Sequence, residues 1–133
     1  MATKVLDSWA LMALFNNEPA ADAVEKILGQ AASNRHRLLM SVVNWGEIYC
    51  SIMRGASREM AEQMAREIAA MPIELVPADL EQTHRAAILK ATHKMSYADC
   101  FAAALAGEEK AELVTGDREF KPLEKVIKIH WLK

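Results

Sequence analysis

Asp7, Glu47 and Asp99 share an unusual setting: each is the single charged residue of an otherwise uncharged, largely apolar segment. Asp7 stands between Val5 and Phe15, Glu47 between Arg37 and Arg54, and Asp99 between Lys94 and Glu108. A fourth acid, Asp117, directly follows the apolar run "ELVTG". A carboxylate in apolar surroundings is costly unless it is paired or holds a cation. Four of them drawn together repel until a cation joins them. All-oxygen donors with no Cys or His cluster favour Mg²⁺ or Mn²⁺ over zinc. A divalent ion held this way keeps several waters, which suits phosphodiester hydrolysis: it activates a water and neutralises charge on the pentacovalent transition state. These residue types point to a metal-dependent nuclease.

Three of the acids also have a purely local reading. Asp7 or Ser8 can cap the helix that follows. "SYAD" fits a capping box, with Ser96 as the cap and Asp99 reaching back from the third position. Asp117 after Gly116 is ordinary turn chemistry. Glu47 has the weakest local explanation, because it lies inside an apolar helix with no cation near it in sequence.

The elements that must position these acids alternate. Short apolar runs read as strands at "KVLD", "RLLMS", "IELVP" and "ELVTG", and "VIKIHWL" alternates as a fifth. The first four look like strands covered on both faces. Helical segments fill the gaps, and "REMAEQMAREIAAM" places Met60, Met64 and Ile68 on one face. Strands alternating with helices give an α/β domain with a mostly parallel sheet. At 133 residues the chain fits one domain, residues 1–133. In such a sheet functional groups gather beyond the carboxyl ends of the strands, where strand order reverses. Asp7 and Asp117 lie at two such ends, Glu47 on the helix leaving the second strand, and Asp99 near the start of the helix feeding the fourth. All four acids can converge on one edge.

Other features bound the answer. Cys50 and Cys100 form neither a disulfide framework nor a metal pair by spacing, which suits a reducing compartment. No apolar run approaches a membrane span, and "MATKVLD" meets an acid too early for a signal peptide, so a cytoplasmic location is expected. A formal charge of −2 gives no global sign of nucleic-acid binding; without the four acids the remainder is mildly basic.

Four motifs together carry a resemblance to the PIN-domain ribonucleases, and in size and layout to the toxins of VapBC-type toxin–antitoxin pairs. "VLDSWALMALF" resembles the family's opening strand with Asp followed by Ser or Thr, and "NWGEI" its Asn-x-x-Glu helix. "YADCFAAALA" resembles its Asp-Ala/Cys helix and "LVTGDREF" its Thr-x-Asp-x-x-Phe ending. The resemblance covers essentially the whole chain. It implies a three-layer α/β/α sandwich around a mainly parallel five-stranded sheet of order 3-2-1-4-5, which sets Asp7 against Asp117. It also implies Mg²⁺- or Mn²⁺-dependent RNA cleavage, with Asp7, Glu47, Asp99 and Asp117 as metal-binding, catalytic acids. Ser8, Thr115 and Asn44 would orient the carboxylates or their waters. The implied partners are an RNA substrate, a VapB-like antitoxin that covers the acidic site, and a second copy of the chain.

Trp9 departs from the family pattern, which more often has a small residue after Asp-Ser. Its indole either packs in the core or lines the cleft, where it could stack on an unpaired base. Lys90 and Lys94 share a helix face upstream of Asp99; phosphate contact and a solvated face are equally open readings. Two alternative functions remain at this level: a PIN-type nuclease in RNA processing outside a toxin–antitoxin pair, and a non-catalytic PIN-like binding module. The presence of all four acids argues against the second.

Overall fold

The computed structural model describes residues 2–133. Five strands form one sheet: β1 (Ala2–Leu6), β2 (His36–Ser41), β3 (Glu74–Val76), β4 (Glu112–Thr115) and β5 (Ile129–Trp131). Their order is β3-β2-β1-β4-β5 and every pairing is parallel, as the resemblance implied. Helices α1 (Ser8–Phe15) and α2 (Ala21–Ala32) join β1 to β2, and α3 (Val42–Gly55) and α4 (Arg58–Ala69) join β2 to β3. Helices α5 (Leu80–Thr92) and α6 (Tyr97–Glu108) precede β4, and a short 3-10 helix (Arg118–Leu123) follows it.

Side chains alternate across a strand, so a strand covered on both faces must be apolar at consecutive positions. Val5, Leu39 and Leu113 join one buried cluster with Ala86 of α5, Cys100 and Leu105 of α6, and Phe120. Their chain neighbours Leu6, Leu38, Met40 and Val114 join another, with Leu11, Val24, Ile48 and Met64 from α1 to α4. The helices thus form a layer on each face of the sheet. Fully burying one such aliphatic side chain stabilises the fold by ~1.5–3 kcal/mol.

Local signals start the helices. Asp7, Ser41, Ser57, Asp79 and Ser96 each accept a backbone N–H at the head of α1, α3, α4, α5 and α6. Two expectations change. β3 is an edge strand exposed at Glu74 and Leu75, so only the central strands are covered on both faces. On α4 the buried stripe is Ala61, Met64 and Ile68, which turns Met60 outward to half exposure.

Strand order fixes where the functional edge lies. From β1 the chain moves outward through β2 to β3, then crosses back to β4 on the other side of β1. The crevice beyond the carboxyl ends of β1 and β4 is where neighbouring connections diverge.

Candidate metal centre

The register of β1 and β4 pairs Leu6 with Val114, which sets Asp7 beside Thr115. Asp7 is fully buried, with both carboxyl oxygens engaged. Oδ1 accepts the Ala10 N–H at 3.0 Å and so caps α1, while Oδ2 accepts the Thr115 hydroxyl. Thr115 Oγ1 in turn accepts the Asp117 N–H at 3.0 Å. One hydroxyl therefore ties the acid ending β1 to the turn after β4. Burial raises the Asp7 carboxyl to about 7 although both hydrogen bonds oppose the shift, and the nearby Asp117 and Glu47 charges push it the same way.

On α6, Ser96 Oγ accepts the Asp99 N–H at 3.1 Å. This half of the expected capping box is present, and the Asp99 carboxyl sits with Asp117 and Glu119. Asp99 is 5 % exposed. Burial is the main cause that lifts its carboxyl to about 8, and the neighbouring Glu119 and Asp117 add to it. Asp117 heads the 3-10 helix, and its Oδ1 accepts the Glu119 N–H at 2.9 Å. Phe120, fully buried, anchors this segment in the core.

Asp99, Asp117 and Glu119 each bring one carboxyl oxygen within 4.8 Å of the other two. Glu47, reached by the Ser8 hydroxyl, faces the same cleft of about 340 Å³. Asp7 lies buried next to the lining residue Ser8 and does not itself line the cleft. Ligand oxygens on opposite sides of an octahedral Mg²⁺ stand about 4.2 Å apart, twice the usual bond length. The all-oxygen donor set fits a hard divalent cation in its chemistry, and its oxygens are near enough for small side-chain adjustments to bring them onto one ion. The raised Asp7 and Asp99 carboxyls fit it too, because a cation is what would hold such buried acids ionised.

The other expected residues fall in three places. Ser8 donates to Glu47 and Thr115 to Asp7. Asn44 is buried and its Nδ2 donates to the Ala98 carbonyl at 3.0 Å, tying α3 to α6 just before Asp99 rather than touching a carboxylate. Lys90 Nζ donates to the Met95 carbonyl at 2.7 Å, and Lys94 is exposed; neither lines the cleft. Trp9 is half-buried: it packs against the α1–α4 cluster and lines the cleft as well.

Glu119 was missed by sequence reasoning. It sits among Arg118, Asp117 and Lys121, where a lone charge does not stand out. The available signal was Asp117 itself: an Asp heading a turn bonds the N–H two residues on, which brings residue 119 back over it.

The PIN-domain family model matches residues 4–126. No curated protein matches the sequence significantly. Among solved structures, VapBC2 from Rickettsia felis, bound to a DNA fragment from its promoter, superposes with a TM-score of 0.79. It is 17 % identical, and the match covers 98 % of this chain and 99 % of that one. DNA-bound VapBC from Salmonella typhimurium gives a TM-score of 0.76 at 17 % identity, covering 98 % of each chain. VapC20 from Mycobacterium tuberculosis, a sarcin-ricin loop cleaving toxin, gives 0.73 at 14 % identity, covering 90 % of this chain and 93 % of that one. At such identities the likeness speaks for the fold. With the family model spanning nearly the full sequence, this chain belongs to the PIN-domain family.

Proposed function

We propose that this protein is a Mg²⁺- or Mn²⁺-dependent endoribonuclease, the toxin of a VapBC-type toxin–antitoxin pair. The observation that carries the reading is the trio of carboxyl oxygens from Asp99, Asp117 and Glu119 within 4.8 Å of one another, in a cleft shared with Glu47. The bound ion would supply an activated water and offset charge on the phosphate in flight.

The chain's own residues do the rest. Asp99, Asp117 and Glu119 would hold the ion, and Asp7, braced by Thr115 and buried behind the cleft, adds its charge to theirs. Glu47, oriented by Ser8, faces the cleft and can order or deprotonate the attacking water. Asp7 and Asp99 are buried while Asp117 and Glu47 are half-buried and Glu119 is exposed, so the site grades from a dry floor to a solvated rim.

Two of the neighbours are DNA-bound VapBC structures and a third is a sarcin-ricin loop cleaving toxin, which supports the toxin reading. The partners that follow are an antitoxin whose basic segment enters the acidic cleft and a second copy of the chain, acting in the cytoplasm. Among the described residues no helix is long and apolar enough to cross a membrane. The test is to incubate purified protein with total cellular RNA, with and without Mg²⁺, and sequence the new ends. Discrete metal-dependent cuts support the proposal, and intact RNA in every condition defeats it. A neighbouring short gene whose product inhibits the cuts separates a toxin from a processing nuclease.

A further inference from the structure

The cleft has two chemically different sides. Asp99, Asp117, Glu119 and Glu47 supply charge, while Trp9, Met12 and Ile48 supply apolar surface. Trp9 is also unusually fixed for a half-buried aromatic. A Cβ built on Gly116 would lie 2.2 Å from Trp9 Cη2, 2.4 Å from Cζ3 and 2.6 Å from Cζ2. No side chain larger than hydrogen fits there, so the outer edge of the benzenoid ring is wedged against the backbone between Thr115 and Asp117. Gly116 has no positive φ, so its role here is space and not backbone freedom.

We infer that Trp9 forms a subsite for one unpaired nucleobase of the RNA, beside the carboxylates that would hold the metal ion at the scissile phosphate; this rests on the nuclease reading above. The ring is two residues from Asp7 in the chain and abuts the residue before Asp117, so it is held at the edge of the acid cluster. An aromatic ring immobilised before the ligand arrives loses little entropy on binding. Aromatic stacking accepts any base, because every base has a π-face. The cleft volume, about 340 Å³, is at the low end for small-ligand sites, ~300–1,000 Å³, and suits one nucleotide. A base stacked and paired within a duplex would first have to leave its helix to enter. The subsite therefore selects single-stranded or looped RNA at that nucleotide.

The test uses a single-stranded RNA that the wild-type protein cuts, remade with an abasic residue at each position around the cut in turn. Loss of one stacked base should lower kcat/KM about tenfold at one position, mostly through KM. Trp9→Leu should cut the intact RNA with that same loss and be indifferent to the abasic residue, while Trp9→Phe restores part of the discrimination. Mn²⁺ binding, followed by electron paramagnetic resonance, should not change in either variant. With Trp45 and Trp131 replaced by Phe, Trp9 emission should be quenched in stopped flow by the intact RNA and not by the abasic one. That measurement needs no change at position 9, so it decides even if Trp9→Leu fails to fold. The inference is overturned if no abasic position affects cleavage, if the effect persists undiminished in Trp9→Leu, or if Trp9 emission ignores the base. Failure of the intact RNA to be cut at all defeats the nuclease reading instead.

Discussion

The Thr115 hydroxyl donates to Asp7 across the β1–β4 pair while its oxygen accepts the Asp117 N–H, so one side chain holds a buried acid and a cleft acid in register. Thr115→Val removes both bonds and leaves buried groups without partners, at a cost of about 1–3 kcal/mol. The lost donor also lifts the Asp7 carboxyl further, since that bond opposes the rise. The expected outcome is a lower melting temperature and a pH–rate profile moved toward alkaline pH. Thr115→Ser should keep both close to wild type; an unmoved profile in Thr115→Val would show that the bond does not govern Asp7.

Neutralising a buried acid should abolish cleavage and stabilise the metal-free fold. Asp7→Asn and Asp99→Asn each remove a carboxyl whose ionised form burial opposes. Each variant should melt higher than wild type at pH 8 in EDTA and cut RNA at least a hundredfold more slowly. Asp117→Asn and Glu119→Gln belong to the same oxygen trio and should raise the Mn²⁺ concentration needed for half-maximal activity. Thermal melts and metal titrations of the four variants check these outcomes, and wild-type activity in Asp99→Asn would remove the acids from the reaction.

The raised carboxyls give the metal-free protein a definite pH dependence. Asp7 ionises near 3.8 when unfolded and at about 7 when folded, so between those values the folded state binds more protons. Stability therefore falls as pH rises through this window and levels off above it. A shift of this size corresponds to roughly 4 kcal/mol for Asp7, and Asp99 at about 8 acts in the same direction up to a higher pH. Metal-free melting temperatures should decline from pH 5 to pH 8, and Mn²⁺ should flatten the decline. Binding the ion at pH 7 should release protons, which calorimetry in buffers of different ionisation enthalpy reads directly. EDTA should stop RNA cleavage, and full activity with metal removal verified would overturn the metal reading.

Gly116→Ala forces a methyl group into the space held by Trp9. Overpacking of this kind typically costs about 1–3 kcal/mol. Adding Trp9→Leu should recover part of that loss, because the smaller side chain vacates the contact. Denaturant midpoints of the two single variants and the double variant measure the coupling; strict additivity would mean that the two residues do not press on each other.

Much of this protein is written locally. The apolar pairs Val5–Leu6 and Leu113–Val114 mark the central strands, because a strand covered on both faces needs consecutive apolar residues. The capping serine at 96 and the turn-forming Asp117 act over three residues or fewer, so sequence alone exposes them. Three of the lone acids stand out for the same reason: an uncompensated charge in an apolar run needs a partner from elsewhere. What that partner is depends on register. Asp7 meets Thr115 from 108 residues away only because β1 lies beside β4 with Leu6 opposite Val114. The tertiary structure brings Asp99 to the Asp117–Glu119 turn and turns the Asn44 amide to the Ala98 carbonyl, 54 residues away. It also shows that capping and cleft roles coincide: Asp117 heads a short helix with one oxygen while belonging to the acid cluster. Local patterns specify which residues form each element and how it begins. The distances between carboxyl oxygens follow from strand order and packing, which short-range interactions do not set.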